Sequence, residues 1–396
     1  MDKVILAYSG GLDTSCAVKW IKDRYGAQVV CFSAFIGEVK DRKMLQKRAK
    51  SAGASKVYVE DLKQEFARDF LIPALWAHAK YEGKYPLATA LGRPLIAKHL
   101  VRVAHLEKAT HVAHGCTGKG NDQVRLEIGV RTLDPKLKII APLREWEFES
   151  REEEIAYAKE NGIKISVTKK SPYSIDKNIW GSAIEAGILE DPCVEPPEDA
   201  FILTRSPSKA PRIPLYVEIG FQAGVPVSIN GKKMNLVDLI EKLNLLGGRY
   251  GIGRIDQIEN RLVGIKSREV YEAPGAVMLL AAHEELESLV LDREFLHYKR
   301  VLSEKYSELV YFGQWFTPLR EALDQFFASP QKRVTGSIKL KLIPGQVLIS
   351  GRKSPYSIYS TKLATYTKES TFDRKSAEGF MKIWGLPYEG MYRRKA

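Results

Sequence analysis

Cysteine is scarce in this chain. There are four in 396 residues (Cys16, Cys31, Cys116 and Cys193), and no two form a Cys-x-x-Cys pair. This excludes a disulfide framework or a local zinc knuckle and suits a reduced compartment. Long apolar runs are missing as well. Stretches such as Val277 to Ala282 fall far short of the roughly 20 residues a bilayer span needs, so no membrane partner is expected. The opening Met1-Asp2-Lys3-Val4-Ile5-Leu6 has no signal-peptide layout, and the expected location is cytoplasmic. The lysine-bearing phosphate loop G-x-x-x-x-G-K-[ST] occurs nowhere. Its nearest lookalike, Gly115-Cys116-Thr117-Gly118-Lys119-Gly120, has the wrong spacing, and Gly251-Ile252-Gly253 lacks the third glycine of a dinucleotide fingerprint. The seven histidines are scattered. His111 and His114 fall on a predicted strand with side chains on opposite faces, so they read as packing or polar core residues and no metal ligand is expected. No internal repeat or low-complexity tract is present.

The composition itself is that of a folded chain, with 44% apolar and 28% charged residues. Lys plus Arg (61) exceed Asp plus Glu (48), giving +13. From Gln331 to Ala396 there are 14 basic and 4 acidic residues, a net of +10, so the first 330 residues carry only +3. Such an excess fits nucleic acid or small anionic substrates.

Up to about residue 165, strand-like and helix-like segments alternate. Val4–Tyr8, Gln28–Ile36, Lys56–Val59, His111–His114 and Lys138–Ala141 read as strands. Asp13–Tyr25, Asp41–Ala52, Leu62–Ala79 and Leu91–Lys108 read as helices, and Ser150 with Glu153 has capping-box spacing. This predicts an α/β fold: a doubly wound parallel sheet in a nucleotide-binding domain over 1–165. Beyond it lie six prolines between Pro192 and Pro214. Alternating strands are predicted over Phe221–Ile229 and Val334–Ile349, the latter broken at Pro344-Gly345. Helices are predicted over Leu236–Leu246 and His283–Leu302. The reading is a second, α+β domain over 166–365 and a C-terminal helical tail over 366–396, with Phe380, Ile383 and Trp384 on one helix face. Asp256 and Glu259, three apart, could share a helix face, but no second pair makes a metal site there.

The most informative segment is Ala7-Tyr8-Ser9-Gly10-Gly11-Leu12-Asp13-Thr14-Ser15, at the first strand-to-helix junction. Two glycines let the backbone turn sharply and bring amide N–H groups to an anion. The helix start adds partial positive charge, and Ser9, Thr14 and Ser15 add hydroxyl donors. This S-G-G-x-D-[ST]-S pattern resembles the pyrophosphate loop of ATP pyrophosphatases, which adenylate a substrate oxygen and release pyrophosphate.

Further segments narrow the reaction. They are Tyr85 to Pro94, His114 to Arg125, Ser174 to Asn178, Gly253 to Arg261 and Lys266 to Glu272. Together with the first loop, in this order and over essentially the whole chain, they resemble the argininosuccinate synthase family. The resemblance implies condensation of citrulline and aspartate to argininosuccinate, with ATP, accompanied by Mg²⁺, going to AMP and pyrophosphate through citrullyl-AMP. It places Ala7 to Ser15, Ala34 and Gly115 at ATP. It places Tyr85, Thr89, Asn121, Arg125, Ser174, Glu259 and Tyr271 at citrulline, and Thr117, Asn121 and Asp122 at aspartate. Asp13, Asn121, Asp122 and Arg125 are the expected catalytic positions, and a homotetramer is implied. The residue types fit: the two carboxylates of aspartate need the donors of Thr117, Asn121 and the Gly115–Gly120 amides, Asp122 can accept from its amine, and citrulline's ammonium suits Glu259. Catalysis is expected to be positioning and electrostatic stabilisation without a covalent enzyme intermediate. The chain departs from the family's pattern at Ala90 and Ala183, where Ser is common, and at Glu38, where Gln is usual. Altered affinity is the expected consequence.

Two rival readings stand beside this one. A tRNA-thiolating ATP pyrophosphatase needs an activated cysteine, for which Cys116 is the candidate by position with Cys193 as a distant partner, and no RNA-binding module with interleaved basic and aromatic residues is evident, so no nucleic-acid partner is expected. A non-catalytic nucleotide sensor has no use for two further polar loops. The basic block after Gln331 lies beyond all the motifs and reads as a solvated face or a subunit contact.

Overall fold

The computed structural model describes residues 2–37, 41–163 and 173–394, so Glu38 lies outside the described residues. The first five strands are β1 (Lys3–Ala7), β2 (Gln28–Phe35), β3 (Lys56–Asp61), β4 (His111–His114) and β5 (Lys138–Ile140). They form one parallel sheet in the order β3-β2-β1-β4-β5. The apolar strand residues are divided between two packed layers, as a sheet covered on both faces requires. Ile5, Val30 and Phe32 join Leu91, Leu95 and Leu100 of the Ala88–Glu107 helix. Val4, Leu6, Val29 and Cys31 join Cys16, Ala17, Trp20 and Ile21 of the Leu12–Tyr25 helix. The expected α/β class is therefore realised, and the strand order reverses between β1 and β4, where open α/β sheets present their ligand crevice.

Local signals act as expected. Asp41 caps the Arg42–Ser51 helix through Lys43 and Met44, and Ser150 and Glu153 complete a capping box on the Arg151–Glu160 helix. The Leu62–Ala79 prediction resolves into Lys63–Phe66, a π turn over Ala67–Leu71, and Ile72–Trp76.

The remaining strands are β6 (Ser174–Asn178), β7 (Gly181–Glu185), β8 (Leu215–Gln222), β9 (Val225–Ile229), β10 (Lys232–Lys233), β11 (Arg254–Asn260), β12 (Lys266–Glu272), β13 (Gly336–Ile343) and β14 (Gln346–Lys353). They make two antiparallel sheets, β10-β9-β8-β13-β14 and β11-β12-β7-β6. Three sequence expectations need correcting. Phe221–Ile229 is not one strand, because Ala223 and Gly224, both at positive φ, turn β8 into β9. His283–Leu302 is not one helix, because Asp292 caps a new helix, Arg293–Tyr311, after Pro274–Val290 ends. Asp256 and Glu259 share no helix face. They lie on β11 with side chains on opposite faces, Asp256 bonded to Arg268 and Glu259 buried.

The small sheet is tied to the part of the chain that holds the parallel sheet. Ile179 N–H donates to Ile36 O at 2.9 Å, and Asn178 Nδ2 donates to Ala88 O at 2.7 Å. A Cβ on Gly37 would come within 3.0 Å of Asn178 Cα, which explains glycine at this crossing. The Ser376–Arg393 helix closes the chain with Phe380, Ile383 and Trp384 exposed. No helix among the described residues is long and apolar enough to cross a membrane.

Candidate active site

At the β1 end, Gly10 takes φ +77°, and a Cβ there would sit 2.3 Å from Leu45 Cδ1. Glycine is thus required both by conformation and by space. The loop is braced from within: Gly11 N–H donates to Ser9 Oγ at 3.2 Å, Ser9 Oγ meets Thr14 Oγ1 at 3.1 Å, and Tyr8 Oη meets Ser15 Oγ at 3.0 Å. Arg48 Nη1 holds Gly10 O at 2.5 Å. Gly11 starts the Leu12–Tyr25 helix without a side-chain cap, so first-turn N–H groups are left for an anion. Ala7 ends β1 and Ala34 lies near the end of the neighbouring β2, both half-buried.

The second loop follows β4, beside the first. A Cβ on Gly115 would meet Thr14 Cγ2 at 2.8 Å, so the loops touch. Thr117 is exposed on this loop, and the Asn121–Leu133 helix starts after Gly120, again with no side-chain cap. Two uncapped helix starts therefore open on the same end of the parallel sheet.

The small sheet supplies the facing wall. Pairing sets Tyr271 opposite Ala183 and Ile255, Gln257 opposite Glu269, Asp176 opposite Ala183, and Ser174 opposite Glu185. Directly paired residues share a face, so one face carries Gln257, Glu259, Glu269, Tyr271, Ala183, Glu185, Ser174 and Asp176. Glu259 is its centre. It accepts from Tyr311 Oη on Oε1 at 2.5 Å, and on Oε2 from Tyr271 Oη at 2.8 Å and Gln257 Nε2 at 3.1 Å. Asn121 Nδ2 donates to Tyr311 Oη at 2.8 Å, and Asn121 Oδ1 accepts from Leu262 N–H at 3.0 Å. Tyr85 stacks on Tyr271 at 3.8 Å between ring centroids and bonds Thr89 Oγ1 at 2.7 Å.

Charge is organised around Asp122. Arg93 Nη2 donates to it at 2.6 Å and Arg125 Nη1 at 2.9 Å, while Arg93 also bonds Asp176. Burial pushes the Asp122 carboxyl up, but the two guanidinium groups outweigh it and hold the group at about 2. Arg125 is buried, donates Nε to Tyr311 O at 2.8 Å and lies over the Tyr311 ring. Burial, and then the charge of Asp13, pushes Glu154 up to about 8 beside the first loop, and Glu154 Oε2 is buried without a partner. Burial and then Asp122 push the Cys116 thiol up to about 12, the opposite of the activation that thiolation requires.

The structure thus brings together Tyr85, Thr89, Asn121, Arg125, Glu259 and Tyr271, with Asp122 bonded to Arg125. Ser174 shares the sheet face but is exposed, with no side-chain bond in this network. Ser182 cannot replace the hydroxyl missing at Ala183: it lies on the opposite face and donates to Glu272 Oε2 at 3.2 Å. Ala90 is sealed in the core. His114 is buried against Glu127 at 3.1 Å, as a polar core residue should be. Sequence reasoning passed over Arg93, Asp176, Gln257, Tyr311 and Glu154. The first three stand inside motif segments and could have been questioned as polar residues there. Tyr311 had no signal beyond an amphipathic helix.

Residues 3–164 match the family described as "Arginosuccinate synthase N-terminal HUP domain", and residues 173–391 match "Arginosuccinate synthase C-terminal domain". The chain is 58% identical over 385 residues to a protein of Dictyoglomus turgidum named "Argininosuccinate synthase", covering 97% of this chain and 96% of that one. It is 57% identical to the protein of that name from Dictyoglomus thermophilum (97% and 96% covered), and 54% identical over 386 residues to that from Carboxydothermus hydrogenoformans (98% and 96% covered).

Proposed function

The chain belongs to the argininosuccinate synthase family, and from that premise we propose how its residues divide the labour of the reaction. The activity is that of an AMP-forming ligase that makes a C–N bond: citrulline and aspartate condense to argininosuccinate at the expense of ATP. The ureido oxygen of citrulline attacks the α-phosphorus and pyrophosphate leaves. The amine of aspartate then attacks the activated ureido carbon, AMP leaves with the C–O bond electrons, and the amine gives up a proton.

ATP lies along Ala7 to Ser15, Ala34 and Gly115, its phosphates on the open N–H groups after Gly10-Gly11. Citrulline lies on the small-sheet face, its ammonium at Glu259 and its carboxylate toward Arg125 and Asn121, between Tyr85, Thr89, Tyr271 and Ser174. Aspartate takes Thr117, Asn121 and Asp122. A carboxyl held at about 2 is a poor base, so Asp122 orients the amine as an anionic acceptor rather than taking its proton. The observation that carries this reading is the meeting of Asn121, Arg125, Glu259 and Tyr271 in one buried network beside the contact between Gly115 and Thr14. Mg²⁺ fits Asp13 with Glu154, whose unpartnered oxygen and repelled carboxyl pair are the hard donors such an ion takes; bound there it supplies charge neutralisation on the phosphates. The 1–165 segment serves the nucleotide, 166–365 the amino acids, and 366–396 a homotetramer in the cytoplasm, the exposed apolar residues of the tail supporting the last role.

The test is to supply ATP, Mg²⁺, citrulline carrying heavy oxygen in its ureido group, and aspartate. AMP bearing the label, with pyrophosphate, is expected; ADP and phosphate, or unlabelled AMP, would overturn the mechanism.

A further inference from the structure

Gln257 sits on β11 beside Glu259 and on the same face, 95% removed from solvent. Its Nε2 donates to Glu259 Oε2 at 3.1 Å, which fixes the sense of the carboxamide, since the reverse sense would set oxygen against carboxylate. The other half of the amide, Oε1, is one of two buried side-chain polar atoms among the described residues with no hydrogen-bond partner. Native folds seldom leave such an atom unpaired without reason.

A count of lone pairs gives one. Glu259 Oε2 already accepts from Tyr271 and Gln257, and Oε1 from Tyr311. With two lone pairs on each oxygen, Glu259 keeps a single free acceptor position. A primary ammonium brings three N–H donors. Glu259 supplies the counter-charge for such a group but cannot satisfy its hydrogen bonds. Among the described residues, a nearby buried acceptor with both lone pairs free is Gln257 Oε1, held on the same carbon as the amide nitrogen that Glu259 anchors. We infer that Gln257 is a specificity residue for citrulline, its Oε1 accepting a hydrogen bond from the α-ammonium that Glu259 neutralises. This rests on the placement of that ammonium at Glu259 proposed above. Glu269, opposite Gln257 on β12, is turned to Arg261 and Ser267 and does not fill the vacancy.

The experiment compares citrulline with 5-ureidopentanoate, which keeps the ureido group and carboxylate but lacks the amine. The readout is the ratio of their kcat/KM values for AMP formation by the full-length enzyme. Gln257→Met keeps the length of the side chain and removes the acceptor. It is expected to lower the ratio roughly 10-fold or more, the weight of one hydrogen bond to a charged group, with KM for ATP and aspartate unchanged. Gln257→Asn withdraws the amide by one methylene and is expected to lower the ratio similarly, which keeps the test open should Gln257→Met fold poorly. An equal loss with both substrates would mean a merely structural role and would overturn the inference, as would an unchanged ratio. Glu259→Gln separates the two levels. If it collapses the ratio while the Gln257 variants do not, the role of Gln257 alone fails; if it leaves the ratio intact, the ammonium is elsewhere and both fail.

Discussion

Asn121 Nδ2 and Tyr311 Oη meet at 2.8 Å across 190 positions of chain, joining the first turn of one helix to the last residue of another. Tyr311 in turn donates a hydrogen bond to Glu259 at 2.5 Å, so the amide, the phenol and the carboxylate form one directed chain.

Tyr311→Phe cuts that chain in two places and leaves the ring stacked on Tyr81 at 3.5 Å between centroids. Loss of a buried donor to a charged acceptor costs about 1.5–3 kcal/mol. KM for citrulline is expected to rise at least about 10-fold, while KM for ATP stays near wild type. Steady-state kinetics with each substrate varied in turn checks this. An equal rise for both substrates would point to general disorder of the site.

Asp122 gives a second test. Asp122→Ala is expected to slow C–N bond formation more than adenylation, read by comparing argininosuccinate formation with citrulline-dependent exchange of labelled pyrophosphate into ATP. Arg93→Met acts through pH. With one of its two guanidinium partners gone, Asp122 is left with burial pushing it up, and its pKa rises from about 2. The carboxylate is then lost at a higher pH, so the acid limb of the aspartate step moves upward by a unit or more. An unmoved limb would remove Asp122 from that step.

These residues also mark how far the sequence could be read. The first loop, Tyr85, Thr89, Asn121 and Arg125 stand in short motifs whose spacing is set locally by a turn or one helical face. Tyr311 is joined to them only by the packing of distant helices, and the Glu154 capping-box helix gave no sign that it would face Asp13. The strand β11 was concealed for a different reason. Its buried positions are Gln257 and Glu259, while Ile258 is 49% exposed, so the apolar-in, polar-out alternation that reveals a strand is inverted where the sheet face serves a polar site. The Pro344-Gly345 turn, by contrast, was legible because the Val334–Ile349 stretch covers an ordinary core with Ile338, Leu340 and Leu342.

Stability should depend on pH through a buried cluster away from the site. His78 Nε2 and His283 Nδ1 lie 2.9 Å apart, with Lys299 Nζ 3.2 Å from His78 Nε2 and bonded to Glu287. These two histidines and Glu287 are close enough to hold a cation, and the Lys299 ammonium already serves as one. Burial first, then Lys299, hold both histidines well below the ordinary 6.5. Below that pH the unfolded chain takes up protons that the fold refuses, so stability is full above about 6.5 and is lost as pH falls. Each histidine contributes a slope of about 1.4 kcal/mol per pH unit. Urea unfolding of His283→Gln between pH 7.5 and 5 is expected to be shallower than wild type by about that amount; parallel curves would contradict it.

The charge excess can be tested at the tail. Phe380, Ile383, Trp384 and Tyr388 of the Ser376–Arg393 helix are 59%, 72%, 59% and 60% exposed, and a soluble chain seldom leaves such a row uncovered. The +10 carried after Gln331 lies with them, far along the chain from the loops proposed above to meet ATP through backbone amides and hydroxyls. Both features fit a surface that seats on acidic neighbours in other copies of the chain. On the homotetramer proposed above, ending the chain before Lys375 is therefore expected to lower the mass found by light scattering. Full-length protein should show the same trend as salt is raised, to the extent that charge contributes to the contact. Tyr85, Glu259 and Asn121 are placed without the tail, so the shortened chain should retain binding of citrulline. A truncated chain with the same oligomeric state as the full chain would leave the apolar row and the basic block as solvated surface.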